Sequence, residues 1–327
     1  MSSSSRTLLV NAEVYSSSDP FATAVMIDDG VITWVGDDAG ARVHTDLADQ
    51  VVDLQGAFLA PGFVDSHIHA TSSGLRLVGL DLSDARHAQD VLDAITAHAT
   101  NRSSGLIYGH GWDETMWADS RLPRRHEIDV AARGQHVYLS RIDVHSALVS
   151  TSLVDRCPDI DRVEGFSSYG AVAQRAHHLI REYAFEQISA QDRRDAQLAT
   201  LSLAASKGVV AVHEMGGPTI GGAEDLRTFL EVAADNTGPK VTGYWGQLAS
   251  EGGIELAREL GAHGVGGDLF VDGSLGSHTA ALHEPYCDSG DTRGVLYLSE
   301  DDIADHLVDA TRAGIQAGFH VIGDAAC

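Results

Sequence analysis

The sequence predicts an α/β protein that carries a small β domain at its N-terminal end. Residues 7–60 hold short apolar or β-branched runs separated by turn residues, whereas further along the chain helical stretches alternate with apolar strands. The 327 residues exceed one ordinary domain and suffice for a large buried core. Alternation of strands with helices favours a parallel sheet or barrel over residues 61–327.

The β domain is expected over residues 1–60. Its predicted strands are four short runs, at 7–12, 24–27, 31–35 and 51–54. Asp-Asp-Gly at 28–30 and Gly-Asp-Asp at 36–38 have the composition of the turns between strands.

The second region begins with a turn at Pro61-Gly62 and a buried strand that runs to His69. Helices are expected at 84–99, within 176–207, at 252–260 and at 301–313. Strands are expected at 209–215, 241–245, 268–272 and 318–323. The stretch from about 105 to 175 fits this alternation poorly, and we interpret it as an insertion that covers the functional site.

The charge balance restricts the partners of the chain. Its 22 basic and 47 acidic residues give a net charge of −25, which repels nucleic acid and anionic membrane surfaces. The three cysteines are far apart and predict neither a disulfide framework nor a cysteine metal motif. The sequence has no apolar run of about 20 residues and no secretory signal pattern, so we expect a cytoplasmic protein.

The histidines of the strand that follows Pro61-Gly62 indicate a metal site. Side chains at i and i+2 of a strand share a face, so His67 and His69 project together and can chelate one divalent ion. Asp65 shares that face and is expected to hold a ligand imidazole. The alternative is an incidental pair, since the chain contains 17 histidines.

Several motifs, in order along the chain, resemble those of one family. Pro-Gly-Phe-Val-Asp-Ser-His-Ile-His at 61–69 resembles the opening strand of the amidohydrolase superfamily. The similarity to its YtcJ-like branch, which includes N-substituted formamide deformylase, continues in five further blocks. These are Gly-His-Gly-Trp-Asp-Glu at 109–114, Asp-Val-His-Ser at 143–146, Val-His-Glu-Met at 212–215, Phe-Val-Asp-Gly-Ser-Leu-Gly-Ser at 270–277 and Phe-His-Val-Ile-Gly-Asp-Ala at 319–325.

The resemblance implies a TIM-like (β/α)8 metal-dependent hydrolase barrel plus a small β-sandwich, with the site at the C-terminal ends of the strands. It implies that His67 and His69 on the first barrel strand bind a divalent metal, most simply zinc, and that His320 on the fifth contributes a further ligand. The alternative for His320 is a core histidine.

Many members of the superfamily bridge two metals with a carboxylated lysine, and the matching position here is Asp268. Neither Lys207 nor Lys240 can substitute, because each lies where a strand begins. We therefore expect one tightly held ion rather than a lysine-bridged pair. Asp268 and Glu214 are the carboxylate candidates for metal ligands. Asp272, about 13 Å further along the predicted strand face, is the candidate for a catalytic role.

The remaining candidates concern the substrate. His145 is expected to bind the carbonyl oxygen or the oxyanion, Trp112 and Asp113 to line the substrate pocket, and Ser274 to lie in a loop that approaches the substrate. The alternatives are structural: a loop histidine, a packing role for Trp112, and a tight turn at 273–277.

The resemblance places a further histidine ligand and the catalytic aspartate on later barrel strands, beyond Cys327. We therefore expect either a longer polypeptide or a second chain that completes the barrel, with a homodimer as the default assembly.

The function predicted is metal-assisted hydrolysis of a C–N bond in a small amide, formamide or cyclic amide. Two alternatives remain: a non-catalytic fragment or subunit of such a hydrolase, and a metal-dependent hydrolase of an ester or a lactone. The chain contains neither a phosphate-binding glycine loop nor a serine hydrolase elbow.

Overall fold

The computed structural model describes residues 5–101, 105–119 and 121–327. The chain divides into two compact units, Met1–Phe63 and Val64–Cys327. Within the described ranges, no helix is both long enough and apolar enough to cross a membrane.

The N-terminal unit contains a four-stranded sheet. Its strands are β1 (Arg6–Val14), β2 (Ala24–Asp28), β3 (Val31–Gly36) and β4 (Gln50–Leu59), in the order β3-β2-β1-β4. A two-residue turn, Asp29-Gly30, joins β2 to β3 with positive φ at both positions, the backbone that such Asp-Gly hairpins adopt. The helix α1 (Asp38–Ala41) and a 3-10 turn at Arg42–Leu47 follow, and Leu8, Ala24, Met26 and Ala41 form the core. The second sheet of the expected sandwich stays a prediction.

The larger unit contains two five-stranded sheets, and one of them carries the opening histidine strand. That sheet consists, in spatial order, of β14 (Gln316–Ala317), β13 (Gly264–Val265), β12 (Lys240–Trp245), β11 (Val209–Gly216) and β5 (Phe63–Ile68). The pairs β11/β12, β12/β13 and β13/β14 are parallel, so the C-terminal ends of these strands lie along one edge.

The other sheet lies largely within the stretch interpreted as an insertion. Its order is β10 (Val172–Ala173), β9 (Ser146–Val149), β8 (His136–Arg141), β7 (Leu106–Trp112) and β6 (Leu80–Asp81). The β6/β7 and β7/β8 pairs are parallel, whereas β9 and β10 are antiparallel to their neighbours. The stretch is therefore regular, and its sheet begins earlier than residue 105.

The helices of this unit cover the sheets. They are α2 (Ala70–Val78), α3 (Ala88–Asn101), α4 (Arg125–Ala132), α5 (Thr151–Val154), α6 (Gln174–Glu186), α7 (Ala190–Ser206), α8 (Gly222–Ala234), α9 (Gly253–Leu260) and α10 (Glu300–Ala313), with 3-10 turns at Glu114–Met116, Ile160–Arg162 and Ala249–Glu251.

Two predicted helix boundaries are corrected by side-chain caps. The helix expected to start at residue 84 starts at Ala88, because the Asp90 carboxylate binds the backbone N–H groups of Arg86 and His87 and holds them outside the helix. The long helix expected within 176–207 is α7, which begins only at Ala190 because the Ser189 side chain accepts the N–H of Asp192, and a separate helix, α6, precedes it.

The strands expected at 268–272 and 318–323 are not regular strands. The two segments share one isolated bridge, between Phe270 and His320. The first segment forms a second one, between Asp272 and Leu296. The reason is the Gly266-Gly267 pair, where both φ angles are positive and end β13 at Val265. A Cβ on Gly266 would lie 2.0 Å from the carbonyl oxygen of Gly318, so only glycine allows the two segments to pass this closely.

A buried tyrosine–histidine pair joins β8 to α6. The Tyr138 hydroxyl lies 2.7 Å from His177 Nε2, and both side chains are almost fully buried. Burial, with smaller contributions from Arg181 and His178, lowers the pKa of His177 to about 4. His177 is therefore neutral at pH 7, and its Nε2 shares a hydrogen bond with the Tyr138 hydroxyl.

This pair predicts an acid-sensitive contribution to stability. Because the folded-state pKa of His177 lies below its unfolded value of about 6.5, the contribution is complete above pH 6.5. It is lost as the pH falls toward 4, with a total of about 3 kcal/mol. We expect the unfolding free energy of His177→Gln to depend less on pH between 6.5 and 4 than that of the parent chain. Urea denaturation at several pH values measures this, with His178→Gln on the exposed neighbour as the control; equal pH dependence in all three proteins would contradict it.

Candidate metal centre

His67 and His69 lie at the C-terminal end of β5, as the strand alternation predicts. Their ring centroids are 5.3 Å apart and the ring planes are perpendicular. His69 is the N-cap residue of α2 but makes no side-chain cap bond, which leaves its imidazole directed elsewhere. Asp65, expected to hold a ligand imidazole, instead accepts the backbone N–H of His67 at 3.3 Å.

Asp268 brings a carboxylate to both histidines. Its Oδ1 lies 3.1 Å from His67 Nε2 and its Oδ2 lies 3.1 Å from His69 Nε2. Ligand atoms of the three residues all lie within 4.8 Å of one another. Asp268 Oδ1 is buried without a hydrogen bond, so its contact with His67 lacks hydrogen-bond geometry. The Gly266-Gly267 bend that ends β13 places Asp268 at this position.

His320 lies beside this triad. Its ring centroid is 6.0 Å from that of His67 and 5.0 Å from that of Phe270, with which it shares the isolated bridge. Its Nδ1 atom is buried and has no hydrogen-bond partner. Buried polar atoms without a partner are rare in proteins, and this one is available to bind a ligand.

The charges of the triad are mutually stabilised. Burial by itself would lower the pKa of His69, but Asp268 and, to a smaller extent, Glu214 outweigh burial and hold that pKa above its usual value. Burial likewise opposes ionisation of Asp268, yet His69 and His67 hold its pKa below the usual range. The carboxylate is therefore ionised at neutral pH and presents a negative charge to the two imidazoles.

Glu214, predicted as a third carboxylate ligand, lies at the end of β11, and one of its oxygens already accepts a hydrogen bond. Its Oε2 accepts the backbone N–H of Ala70 at 2.8 Å, and the side chain is 2% exposed. Burial raises the pKa of Glu214 to about 8. This hydrogen bond fixes the backbone N–H of Ala70, the residue that follows His69.

Asp272, predicted as a catalytic residue, is completely buried, and its carboxylate binds three backbone N–H groups. Its carboxylate accepts the N–H groups of Ala281 at 2.8 Å, Ile322 at 3.0 Å and Gly323 at 2.7 Å. Burial would raise the pKa of Asp272, but these three donors hold it below the usual range. Asp272 thus joins the loop after residue 273 to the segment that carries His320.

Two of the predicted substrate residues are occupied with packing or ion pairing. Trp112 is 1% exposed and its Nε1–H binds the carbonyl oxygen of Leu139, so it is a core residue rather than a pocket wall. Asp113 accepts the Thr115 hydroxyl at 2.7 Å and pairs with Arg141 at 3.1 Å.

The other two are exposed. His145 follows Val144, whose φ of +59° is unusual for a β-branched residue, and its N–H binds Asp143. The Ser274 hydroxyl lies 2.9 Å from that of Ser277 in an exposed loop.

A cavity of about 480 Å³ adjoins the triad and includes side chains to which the sequence motifs assigned no role. Besides His67 and His320 it is lined by His213, Tyr244 and Gln316. His213 lies on β11 and pairs with Thr242 of β12. The Tyr244 hydroxyl donates to Gln316 Oε1 at 3.0 Å. Alternation along β11 is the signal that could have found His213, since it faces away from Val212, which packs in the helix-covered core.

The donor set suits a divalent metal. Two imidazole nitrogens and a carboxylate oxygen converge, and three buried polar atoms there lack hydrogen-bond partners within the described residues: His69 Nδ1, Asp268 Oδ1 and His320 Nδ1. The residues present therefore fit a divalent metal ion.

Comparison with known proteins gives matches over most of the chain. A family model described as amidohydrolase family matches residues 50–327. The protein LONG AFTER FAR-RED 3 of Arabidopsis thaliana is 27% identical over 98% of this chain and 59% of its own length. The putative amidohydrolase YtcJ of Bacillus subtilis (strain 168) is 26% identical over 93% of this chain and 60% of its own length. This chain thus spans about 60% of the length of these curated relatives.

Two further matches concern activity and fold. N-substituted formamide deformylase of Arthrobacter pascens is 26% identical over 45% of this chain and 28% of its own length. The solved structure of an uncharacterized metal-dependent hydrolase from Pyrococcus furiosus superposes with a TM-score of 0.81 at 27% identity, covering 98% of this chain and 68% of that chain. The resemblance drawn from the sequence motifs is confirmed, and so is the α/β fold with parallel sheets.

Proposed function

Because this chain belongs to the amidohydrolase family, we propose that it is a metal-dependent hydrolase that cleaves a C–N bond in a small amide, formamide or cyclic amide. The observation that carries the proposal is the convergence of His67, His69 and Asp268, whose ligand atoms lie within 4.8 Å of one another. Relatives named as an amidohydrolase and as an N-substituted formamide deformylase support the choice of a C–N bond.

The proposed metal is zinc, bound as one tightly held ion. Neutral imidazole and carboxylate are ligands that zinc accepts, and Asp268 stands where a lysine bridge would be needed for a pair. A bound zinc ion would supply Lewis-acid polarisation of the scissile carbonyl and activation of the attacking water. His67, His69 and Asp268 would hold the ion, and His320 would add a fourth donor.

The other residues receive roles that follow from their surroundings. Asp272 is proposed as a positioning residue for the segment of His320, because its oxygens are saturated with backbone donors. Exposed His145 and the hydroxyl of Ser274 are the groups proposed to meet the substrate. The (β/α)8 barrel is the architecture proposed for the sheet that carries the site, since its parallel strands end at the metal-binding residues.

The proposal predicts metal-dependent release of an amine and formate from N-substituted formamides. The chain is stripped with a chelator, reloaded with zinc and assayed for both products, with His67→Ala as the test variant and His126→Ala, on an exposed residue of α4, as the control. We expect His67→Ala to lose activity and His126→Ala to retain it.

Other outcomes would replace the proposal. Alcohol release from matched esters without amine release from amides would assign the site to ester or lactone hydrolysis. A folded chain that binds zinc and releases neither product would be a ligand-binding homologue.

A further inference from the structure

The first turn of α2, directly after His69, is joined to two other helices by a buried polar network. The Thr71 hydroxyl donates to Asp225 Oδ1 at 2.7 Å, and Arg193 forms an ion pair with the same oxygen. Gln197 donates to the Thr71 hydroxyl at 3.0 Å and to the backbone oxygen of Asp225 at 3.2 Å. Thr71, Gln197 and Asp225 are all buried, so water does not compete for these bonds.

The backbone of Ala70, between His69 and Thr71, is fixed on both sides. Its N–H donates to Glu214 Oε2 at 2.8 Å, and its carbonyl oxygen accepts the Thr200 hydroxyl at 2.8 Å. Both peptide groups that follow His69 are thus held by side chains from β11 and α7.

The hydrogen bond from the Ala70 N–H to Glu214 concerns the N-terminal cap of α2. The first N–H groups of a helix need acceptors, which the side chain of the N-cap residue usually supplies. His69 is the N-cap of α2 and supplies none. The Glu214 side chain accepts the first of these groups, the Ala70 N–H, while the His69 imidazole faces Asp268.

The helices that carry the network are in close contact, so the network has little room to adjust. A Cβ on Gly74 of α2 would lie 1.8 Å from the carbonyl oxygen of Ala196 on α7. The start of α2, directly after His69, is therefore held by this helix pair and by the side chains between its members.

We propose that the Thr71–Asp225–Arg193–Gln197 network, with Thr200 and Glu214 at Ala70, positions His69 for metal binding. The inference rests on the proposed metal site and assigns these residues to orienting a ligand, not to contacting the ion. Groups that orient a metal ligand typically change metal affinity 10–100-fold when they are removed.

The test is zinc affinity, measured by competition with a chelating dye. Thr71→Val keeps the shape of the side chain and removes the hydroxyl, and we expect it to weaken zinc binding about 10-fold. Thr71→Ser keeps the hydroxyl and is expected to bind zinc like the parent chain. The matched control is Thr228→Val on α8, which removes a buried hydroxyl that binds only the backbone oxygen of Glu224, within its own helix.

The outcomes separate a positioning role from a structural one. A loss of affinity in Thr71→Val, absent from Thr71→Ser and Thr228→Val, supports the proposal. Equal zinc affinities in Thr71→Val and Thr228→Val would overturn it while leaving the metal site standing. No zinc binding by the folded parent chain would remove both the metal site and the inference. If Thr71→Val does not fold, Thr200→Val carries the same expectation through the carbonyl of Ala70.

Discussion

Replacement of Asp272 by alanine is expected to lower the free energy of unfolding by about 3–6 kcal/mol. The substitution leaves the N–H groups of Ala281, Ile322 and Gly323 without their acceptor, and the Asp272 side chain, Ala281 and Gly323 are buried. Each buried donor left without a partner costs about 1–3 kcal/mol. Few single substitutions exceed this range.

Asparagine at the same position gives a graded test. Asp272 Oδ2 accepts two of the N–H groups and Oδ1 accepts the third, so Asp272→Asn can keep two bonds and turns its amide N–H toward the third donor. In urea denaturation at pH 7 we expect the free energy of unfolding to be highest for the parent chain, lower for Asp272→Asn and lowest for Asp272→Ala. The control is Asp84→Ala, at a fully exposed carboxylate, which should stay within about 0.5 kcal/mol of the parent. Asp272→Ala as stable as Asp84→Ala would contradict the assignment.

The contribution of Asp272 also has a pH signature. Since the folded-state pKa lies below the unfolded value of about 3.9, the stabilisation is complete above that value and is lost as the pH falls through the folded pKa. The difference between the parent chain and Asp272→Asn should therefore shrink in strong acid.

His69→Ala is expected to weaken zinc binding by roughly 100-fold or more. Structural zinc sites with four ligands contribute about 10–16 kcal/mol in total, so one ligand accounts for about 3 kcal/mol, and each 1.4 kcal/mol is a factor of ten in affinity. The imidazole removed is the one that faces Asp268 Oδ2 at 3.1 Å. Dye competition measures the affinity, and His126→Ala, on an exposed residue, should bind zinc like the parent chain.

The same substitution separates metal binding from folding. His69 makes no cap bond, but its removal leaves the buried Asp268 Oδ2 without that partner, so urea denaturation of the metal-free variant is measured beside its zinc affinity. An unchanged zinc affinity in His69→Ala would contradict a ligand role for this residue.

Local patterns predicted the parts of the site that depend on neighbouring residues. The i, i+2 spacing of His67 and His69 sets their common direction on β5 whatever the rest of the fold does. The Asp-Gly turn between β2 and β3 and the glycines after the helices were equally readable, since each is decided within a few residues.

The remaining features depend on contacts between distant residues. The partner of Thr71 is 154 positions away, and the N–H donors of Asp272 lie 9, 50 and 51 positions away. Nothing near Asp272 in the sequence distinguishes a carboxylate saturated with backbone donors from one free to act on a substrate. Trp112 presented the same difficulty, because an aromatic residue beside an acidic one suits both a pocket and a core. The isolated bridges at Phe270 and Asp272 arose from a close approach of Gly266 to Gly318, which no periodicity reports.

The most direct test of the metal centre is anomalous diffraction at the zinc absorption edge from crystals of the zinc-loaded chain. We expect a peak between His67 Nε2, His69 Nε2 and the Asp268 carboxylate, with ligand distances of about 2.0–2.2 Å and His320 next to it. A zinc peak at another position, or none at these three residues in a well-ordered crystal, would contradict it.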